Sequence, residues 1–223
     1  MLTARGKRSL ERQRGVLKTG TRFVALENLF DPAKCRALLE RLERHVAPHL
    51  TLMEQPIPPH TIWGLTENYA EQLPKTVRCR TVTLASRSKG TRAVAQSGAL
   101  ELIRSDLFRE LAQTLSGRRV RRGWGAQLLA YGPGDYAGPH HDHHPEEPQA
   151  RDGYTDVHLT LCTRGVKAQT LVYAPYAHFD QQASVAKSGT LTAYRLPFWH
   201  YTTPLQGGAG ARRWVLLGTF LDA

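Results

Sequence analysis

The chain has 223 residues, 41% of them hydrophobic, enough to bury a sizeable core in one or two domains. With 30 Lys+Arg against 19 Asp+Glu its formal net charge is +11, which by field alone favours anionic partners such as nucleic acid, acidic substrates or carboxylate cofactors. No apolar run is long enough to span a bilayer, and Met1 to Arg14 lacks the apolar block of a secretory signal. Cys35, Cys79 and Cys162 are widely separated, which argues against a disulfide framework or a structural zinc site and for a reducing, cytoplasmic setting.

Residues 1–20, with Arg5, Lys7, Arg8, Arg12, Arg14 and Lys18, read as a mobile basic arm, and residues 21–223 as one domain. Further basic clusters run from Lys75 to Arg92 and from Arg118 to Arg122; a solvated surface is their plain reading. Phe23 to Phe30 reads as a strand. Asp31-Pro32 then gives an N-cap with proline at the first helical position, and Cys35, Leu38, Leu39, Leu42 and Val46 repeat at helical spacing over 32–47. Pro48 ends that helix. Residues 51–75, with Pro56, Pro58, Pro59 and Pro74 around His60, Trp63 and Tyr69, read as irregular loop. Arg78 to Ala85 reads as a strand, and Ser97 to Leu115 as mostly helix stopped by Gly117.

From Gly123 the texture changes. Trp124–Tyr131, Tyr136–Asp142, Asp156–Cys162, Gln169–Tyr173, Gly189–Tyr194, His200–Pro204 and Arg212–Leu221 are short alternating segments, which predicts a sandwich or barrel. Helices first and strands afterwards give an α+β order, with helical support over 21–117 and a β core over 123–221.

The chemistry concentrates at Tyr131-Gly132-Pro133-Gly134-Asp135-Tyr136, a strand end and turn, followed by Pro139-His140-His141-Asp142-His143-His144. On a strand, residues i and i+2 share a face, so His140 and Asp142 can share one metal ion. They form half of the two-histidine, one-carboxylate triad of non-haem Fe(II) oxygenases, and His200 on a later strand is the best candidate for the third ligand. A glycine-rich turn, Gly207 to Gly210, leads from there to Arg212-Arg213-Trp214. A hairpin at that turn would bring an arginine near the metal, where a guanidinium fork suits the far carboxylate of a 2-oxo acid.

Tyr131-Gly132-x-Gly134-x-Tyr136-x-x-Pro139-His140-x-Asp142, then His200-x-x-x-Pro204 and Gly210-x-x-Arg213-Trp214, resemble the motifs of the Fe(II)/2-oxoglutarate-dependent oxygenases, in particular the prolyl-4-hydroxylase-like branch. The resemblance covers residues 123–221. It implies a double-stranded β-helix of the jelly-roll or cupin kind flanked by N-terminal helices. It further implies Fe(II) held by His140, Asp142 and His200, with 2-oxoglutarate as cosubstrate and O2 as oxidant. Arg213 would bind the distal carboxylate of 2-oxoglutarate, with Tyr131 as a hydroxyl donor to it. Arg212 and Arg213 point to opposite faces of a strand, and the resemblance selects the one standing before an aromatic. A Gly-Gly-Glu-Thr-like turn common in the family appears here as Lys167-Ala168-Gln169-Thr170.

The implied activity is hydroxylation of a C–H bond in a small polar substrate: an amino acid, a peptide or a natural-product intermediate. Two other readings stand beside it. One is a nucleic-acid demethylase of the alkylation-repair type, suggested by charge but lacking that branch's paired arginines, since Thr219 stands six residues after Arg213. The other is a non-catalytic, cupin-like metal binder. His45, His49, His60, His158 and His178 read as ordinary hydrogen-bonded histidines, His141 and His143 as structural, and His144 as open to substrate contact. Arg195 and Trp199 read as packing residues. The sequence does not indicate an oligomeric state.

Overall fold

The computed structural model describes residues 1–18, 23–58, 74–84, 88–121, 125–142, 153–175 and 178–223. His60, Trp63, Tyr69, Trp124, His143 and His144 lie outside the described residues.

The N-terminal segment expected as a free arm is built into the fold. Helix α1 (Ala4–Arg12) is capped by Thr3, whose hydroxyl accepts from Gly6 N at 2.8 Å. Leu10 and Leu17 are 6% and 3% exposed within the main core, while Arg5, Lys7, Arg8 and Arg12 stay in solvent. The density of positive charge had concealed an apolar stripe.

Strand β1 (Phe23–Leu26) is shorter than expected, and Asn28 just beyond it turns the chain at φ 58°. Helix α2 (Pro32–Arg41) begins as the sequence predicts: Asp31 accepts from Ala33 N at 2.8 Å and Lys34 N at 3.2 Å. It continues as a π turn over Leu42–Val46 and a 3₁₀ turn over Ala47–His49, where Pro48 ends it. The segment expected as loop opens with β2 (Thr51–Pro56), an exposed strand paired along its length with β3 (Thr76–Thr81). Its outward surface carries no apolar alternation to read.

The helix expected over 97–115 is divided. Helices α3 (Lys89–Ser97) and α4 (Ala99–Ile103) meet at Gly98, whose φ of 77° no helix interior tolerates. Helix α5 (Asp106–Ser116) follows Ser105 and stops at Gly117, also left-handed.

The remaining strands are β4 (Gly125–Tyr131), β5 (Tyr136–His140), β6 (Tyr154–Cys162), β7 (Val166–Ala168), β8 (Thr170–Ala174), β9 (Gln181–Ser184), β10 (Thr190–Arg195), β11 (Trp199–Thr202), β12 (Gln206–Gly207) and β13 (Arg213–Leu221). They include all seven strands read from the sequence, with ends shifted by a residue or two. Strands β7, β9 and β12 are short additions.

Eleven strands form one sheet in the order β1-β10-β6-β13-β4-β3-β5-β11-β8-β9, with β2 on β3. The sheet curls into a nearly closed barrel, the double-stranded β-helix expected. One wall is β1-β10-β6-β13-β4 and the other β5-β11-β8-β9. Strand β3 joins them, pairing Arg80 and Thr81 with β4 and Val77 and Arg78 with β5. The glycine-rich turn does not make the expected hairpin. Strand β11 lies between β5 and β8, and β13 lies between β4 and β6, so the chain crosses from one wall to the other there.

Alternation along the first wall sorts its side chains between two environments. Leu128, Ala130, Val157, Leu159, Leu161, Leu191, Trp214, Leu216 and Phe220 face the helices and form the main core with Leu38, Leu42, Phe108, Leu111 and Leu115. The alternate residues face the barrel interior. The three cysteines are free. Among the described residues, no helix is long and apolar enough to cross a membrane.

Because Leu10 is buried in that core, Leu10→Ala should destabilise the protein by about 2 to 5 kcal/mol in urea unfolding. A free arm would leave the midpoint unchanged.

Candidate active site

The barrel encloses a cavity of about 640 Å³. Its wall brings together all five residues singled out from the sequence: His140, Asp142, His200, Arg213 and Tyr131.

His140 ends β5 and His200 lies on β11, directly opposite it in the antiparallel register. Residues so paired project to the same side, which sets the two rings 4.5 Å apart between centroids. The close approach begins at Gly138. A Cβ there would stand 2.2 Å from Pro74 O, so only glycine lets the chain before β3 cross β5. The Gly138 carbonyl then accepts from His140 Nδ1 at 2.6 Å, and the Phe198 carbonyl from His200 Nδ1 at 2.9 Å. With Nδ1 carrying the proton in each ring, Nε2 offers its lone pair to the cavity.

Asp142 departs from the expected geometry. Strand β5 stops at His140, so strand alternation does not aim this carboxylate. Tyrosines hold it instead: Tyr194 donates to Oδ2 at 3.1 Å, and the Tyr154 hydroxyl donates to the Asp142 carbonyl. Its Oδ1 lies 3.3 Å from His140 Nε2 and its Oδ2 3.8 Å from His200 Nε2. One ligand atom from each of the three residues falls within 4.8 Å of the others. Burial works to raise the Asp142 pKa, but His140, and behind it His200, outweigh burial and hold the carboxyl well below the usual range. Burial, with His140 next, pushes His200 down to about 4.

Arg213 opens β13, opposite Tyr131 on β4 and Cys162 on β6. It is 3% exposed, and its guanidinium lies 5.3 Å from the centre of the Tyr131 ring. Nη1 donates to Gln169 Oε1 at 2.9 Å and Nη2 to Thr160 Oγ1 at 3.3 Å; Nε has no partner among the described residues. Among the described residues these contacts leave a buried positive charge without an anion, a costly state that a ligand carboxylate would relieve. Arg212 points the other way. Its Nη1 donates to Glu43 Oε2 at 2.6 Å, and Trp214 Nε1 donates to Glu43 Oε1 at 2.6 Å, so Glu43 in the π turn after α2 grips both residues flanking Arg213.

The sequence missed several residues here. Gln169, in the unusual Lys167–Thr170 segment, is 1% exposed and anchors Arg213 to the second wall, donating to Thr203 O at 3.0 Å and Asp135 O at 3.3 Å. Asp135 in turn fixes the turn after β4: it accepts from Gly132 N at 2.7 Å and pairs with Arg80. Asp156, His158 and Tyr194 also line the cavity, and an alternating strand gives no sign that its polar side faces inward. His141 meets Trp199 edge-on at 4.4 Å and also lines the cavity, and Arg195 pairs with Asp222 at 2.8 Å.

Burial pushes His158 down to about 3; Asp142 opposes the shift, while His200 and Arg213 add to it. An unfolded histidine protonates near pH 6.5. Stability held above that pH should therefore be lost as the pH falls towards the folded value. The urea midpoint of the metal-free protein should drop on acidification from about pH 7 to about pH 4. His158→Leu should flatten part of that drop, and an identical profile in the variant would refute the assignment.

No family model matches the sequence, and no curated protein matches it. Solved structures do match in fold. A 2OG-Fe(II) oxygenase family oxidoreductase from Burkholderia pseudomallei is 14% identical, with a TM-score of 0.59 over 99% of this chain and 93% of that one. A prolyl hydroxylase from Trichoplax adhaerens, in complex with a hypoxia inducible factor peptide fragment, is 13% identical, with a TM-score of 0.56 over 99% and 94%. The alpha ketoglutarate dependent epimerase SnoN from nogalamycin biosynthesis is 16% identical, with a TM-score of 0.61 over 97% and 84%. With its curled antiparallel sheet and helical backing, this chain has the fold of the 2-oxoglutarate- and Fe(II)-dependent oxygenases.

Proposed function

We propose that this chain is an Fe(II)- and 2-oxoglutarate-dependent oxygenase that hydroxylates a C–H bond of a small polar substrate, an amino acid, peptide or natural-product intermediate, releasing succinate and CO2. The observation that carries this reading is one cavity containing both a two-histidine, one-carboxylate cluster and a buried guanidinium without a carboxylate partner among the described residues. The likeness in fold to oxygenases that take a peptide or act in natural-product biosynthesis supports the substrate class.

In this reading His140 and His200 offer Nε2, and Asp142 an oxygen, to one Fe(II). The donor set fits: two imidazoles and a carboxylate are the side chains that would suit Fe(II). Iron, when bound, supplies the oxidising chemistry that no side chain of the chain can. The chain's own part is positioning. Arg213 takes the far carboxylate of 2-oxoglutarate, Gln169 and Thr160 fix the plane of the guanidinium, and Tyr131 adds a hydroxyl beside it. Leu129, Val215 and Leu217 give the cavity an apolar wall that limits water around the reacting groups.

Replacing His140, Asp142 or His200 with alanine should each lower iron affinity sharply, measured as iron bound per chain. Retained stoichiometry in both His140→Ala and His200→Ala would overturn the ligand assignment. Arg213→Ala removes one partner of a desolvated charge pair, about 2 to 5 kcal/mol. It should raise the apparent 2-oxoglutarate constant more than about tenfold with iron binding nearly intact. Arg212→Ala, whose side chain faces the helices, should leave that constant nearly unchanged.

A further inference from the structure

One band of polar side chains in the cavity is unused by the site above. It lies on the row where Asp156 of β6 stands between Thr219 of β13 and Tyr194 of β10; two residues along β6, His158 stands between Leu217 and Thr192. Asp156 is 2% exposed and His158 8% exposed, and both line the cavity. Asp156 Oδ1 and His158 Nε2 have no hydrogen-bond partner among the described residues. The Thr219 hydroxyl bonds the Asp156 carboxyl, and no Lys or Arg among the described residues pairs with it. A buried carboxyl left with an unfilled acceptor is costly, and such groups in native proteins call for an explanation.

The position of the row separates it from the cosubstrate end. On β6, Arg213 Nη2 reaches Thr160, and Asp156 lies four residues away from Thr160, a rise of about 13 Å. A five-carbon diacid held at that guanidinium ends short of Asp156. Yet the row touches the triad, because Tyr194, paired with Asp156 through the backbone, donates to Asp142 Oδ2 at 3.1 Å.

We propose that the Asp156–His158–Thr219 row is the substrate-recognition subsite and that the group it takes is a cationic nitrogen, an ammonium or guanidinium carried by the substrate. This rests on the oxygenase reading for the identity of the other occupants. Under that reading, the charges of a divalent metal and Arg213 are balanced by Asp142 and a dianionic cosubstrate. The Asp156 carboxyl remains, and a cationic N–H donor completes both its hydrogen bonding and its charge. Burial pushes its carboxyl well above the ordinary range, and an incoming cation favours its ionised form. His158, kept neutral by burial, adds a nitrogen rather than a competing charge. Tyr154 and Tyr194 line the same cavity. The chain's net charge of +11 acts from outside, where salt screens it over about 8 to 10 Å.

The test is anaerobic calorimetry with Nα-acetyl-L-arginine amide, Nα-acetyl-L-lysine amide and the neutral isostere Nα-acetyl-L-citrulline amide. Each probe is titrated into the protein loaded with Fe(II) and 2-oxoglutarate and into the metal-free protein. The cationic probes should bind at least about tenfold more tightly than citrulline, a difference of about 1.4 kcal/mol. Asp156→Asn should remove most of that preference while keeping iron and 2-oxoglutarate affinity. Asp156→Ser should do the same and serves if the asparagine variant does not fold. Equal binding of cation and isostere, no binding of any probe, or a preference unchanged in the variants would overturn the proposal. Failure of iron and 2-oxoglutarate to bind would overturn the oxygenase reading instead, and the metal-free titration would still decide the cation preference.

Discussion

The two-residue period of β6 and β13 is the constraint on which the rest of the molecule depends. Both strands are central, nine residues long, and flanked on each side by other strands. Neither has a solvent face. One set of side chains must satisfy an apolar helical layer, and the other must line a cavity. Slipping β13 by one residue would push Arg213 into the helices and Trp214 into the barrel. The pairings on both sides of β13, from Arg213 opposite Tyr131 to Thr219 opposite Gly125, oppose such a slip over the whole strand.

The second wall contributes less mass and more geometry. Strand β11 is four residues long, yet its register against β5 sets the two histidines side by side. The walls are tied at their shared edge by Asp135. Its carboxylate takes the Gly132 amide and arginine from β3, and its carbonyl takes Leu205 N at 2.9 Å and Gln169 Nε2. A single turn thus links the strand that carries Tyr131 to the strand that carries His140, and reaches through Gln169 to Arg213.

Much of this was legible in the sequence, for identifiable reasons. The strands after Gly123 show because helix-facing leucines and valines alternate with other residues. The HxD, the distal His200 and Arg213 before Trp214 show because their order is distinctive. What could not be read falls into two kinds. Asp156 and His158 alternate with Val157 and Leu159 as they would on a half-exposed strand, and periodicity cannot tell a polar cavity from water. The N-terminal helix and β2 were obscured by composition: basic residues around Leu10 suggested an arm, and prolines around β2 suggested a loop. The aim of Asp142 belongs to neither kind. Two tyrosines from distant strands set it, and no local pattern encodes such a contact.

Glu43 gives the helical layer a part beyond backing the sheet. It sits in a π turn, a helical irregularity frequent at functional sites, and it holds Arg212 and Trp214 from behind while Arg213 faces inward between them. The inward cation is therefore steadied from outside the chamber, through Trp214 in the main core more than through the partly exposed Arg212. Variation in that π turn can act on this support and leave every chamber-lining side chain unaltered. Selection acting on cosubstrate grip and selection acting on substrate choice would then draw on separate parts of the chain.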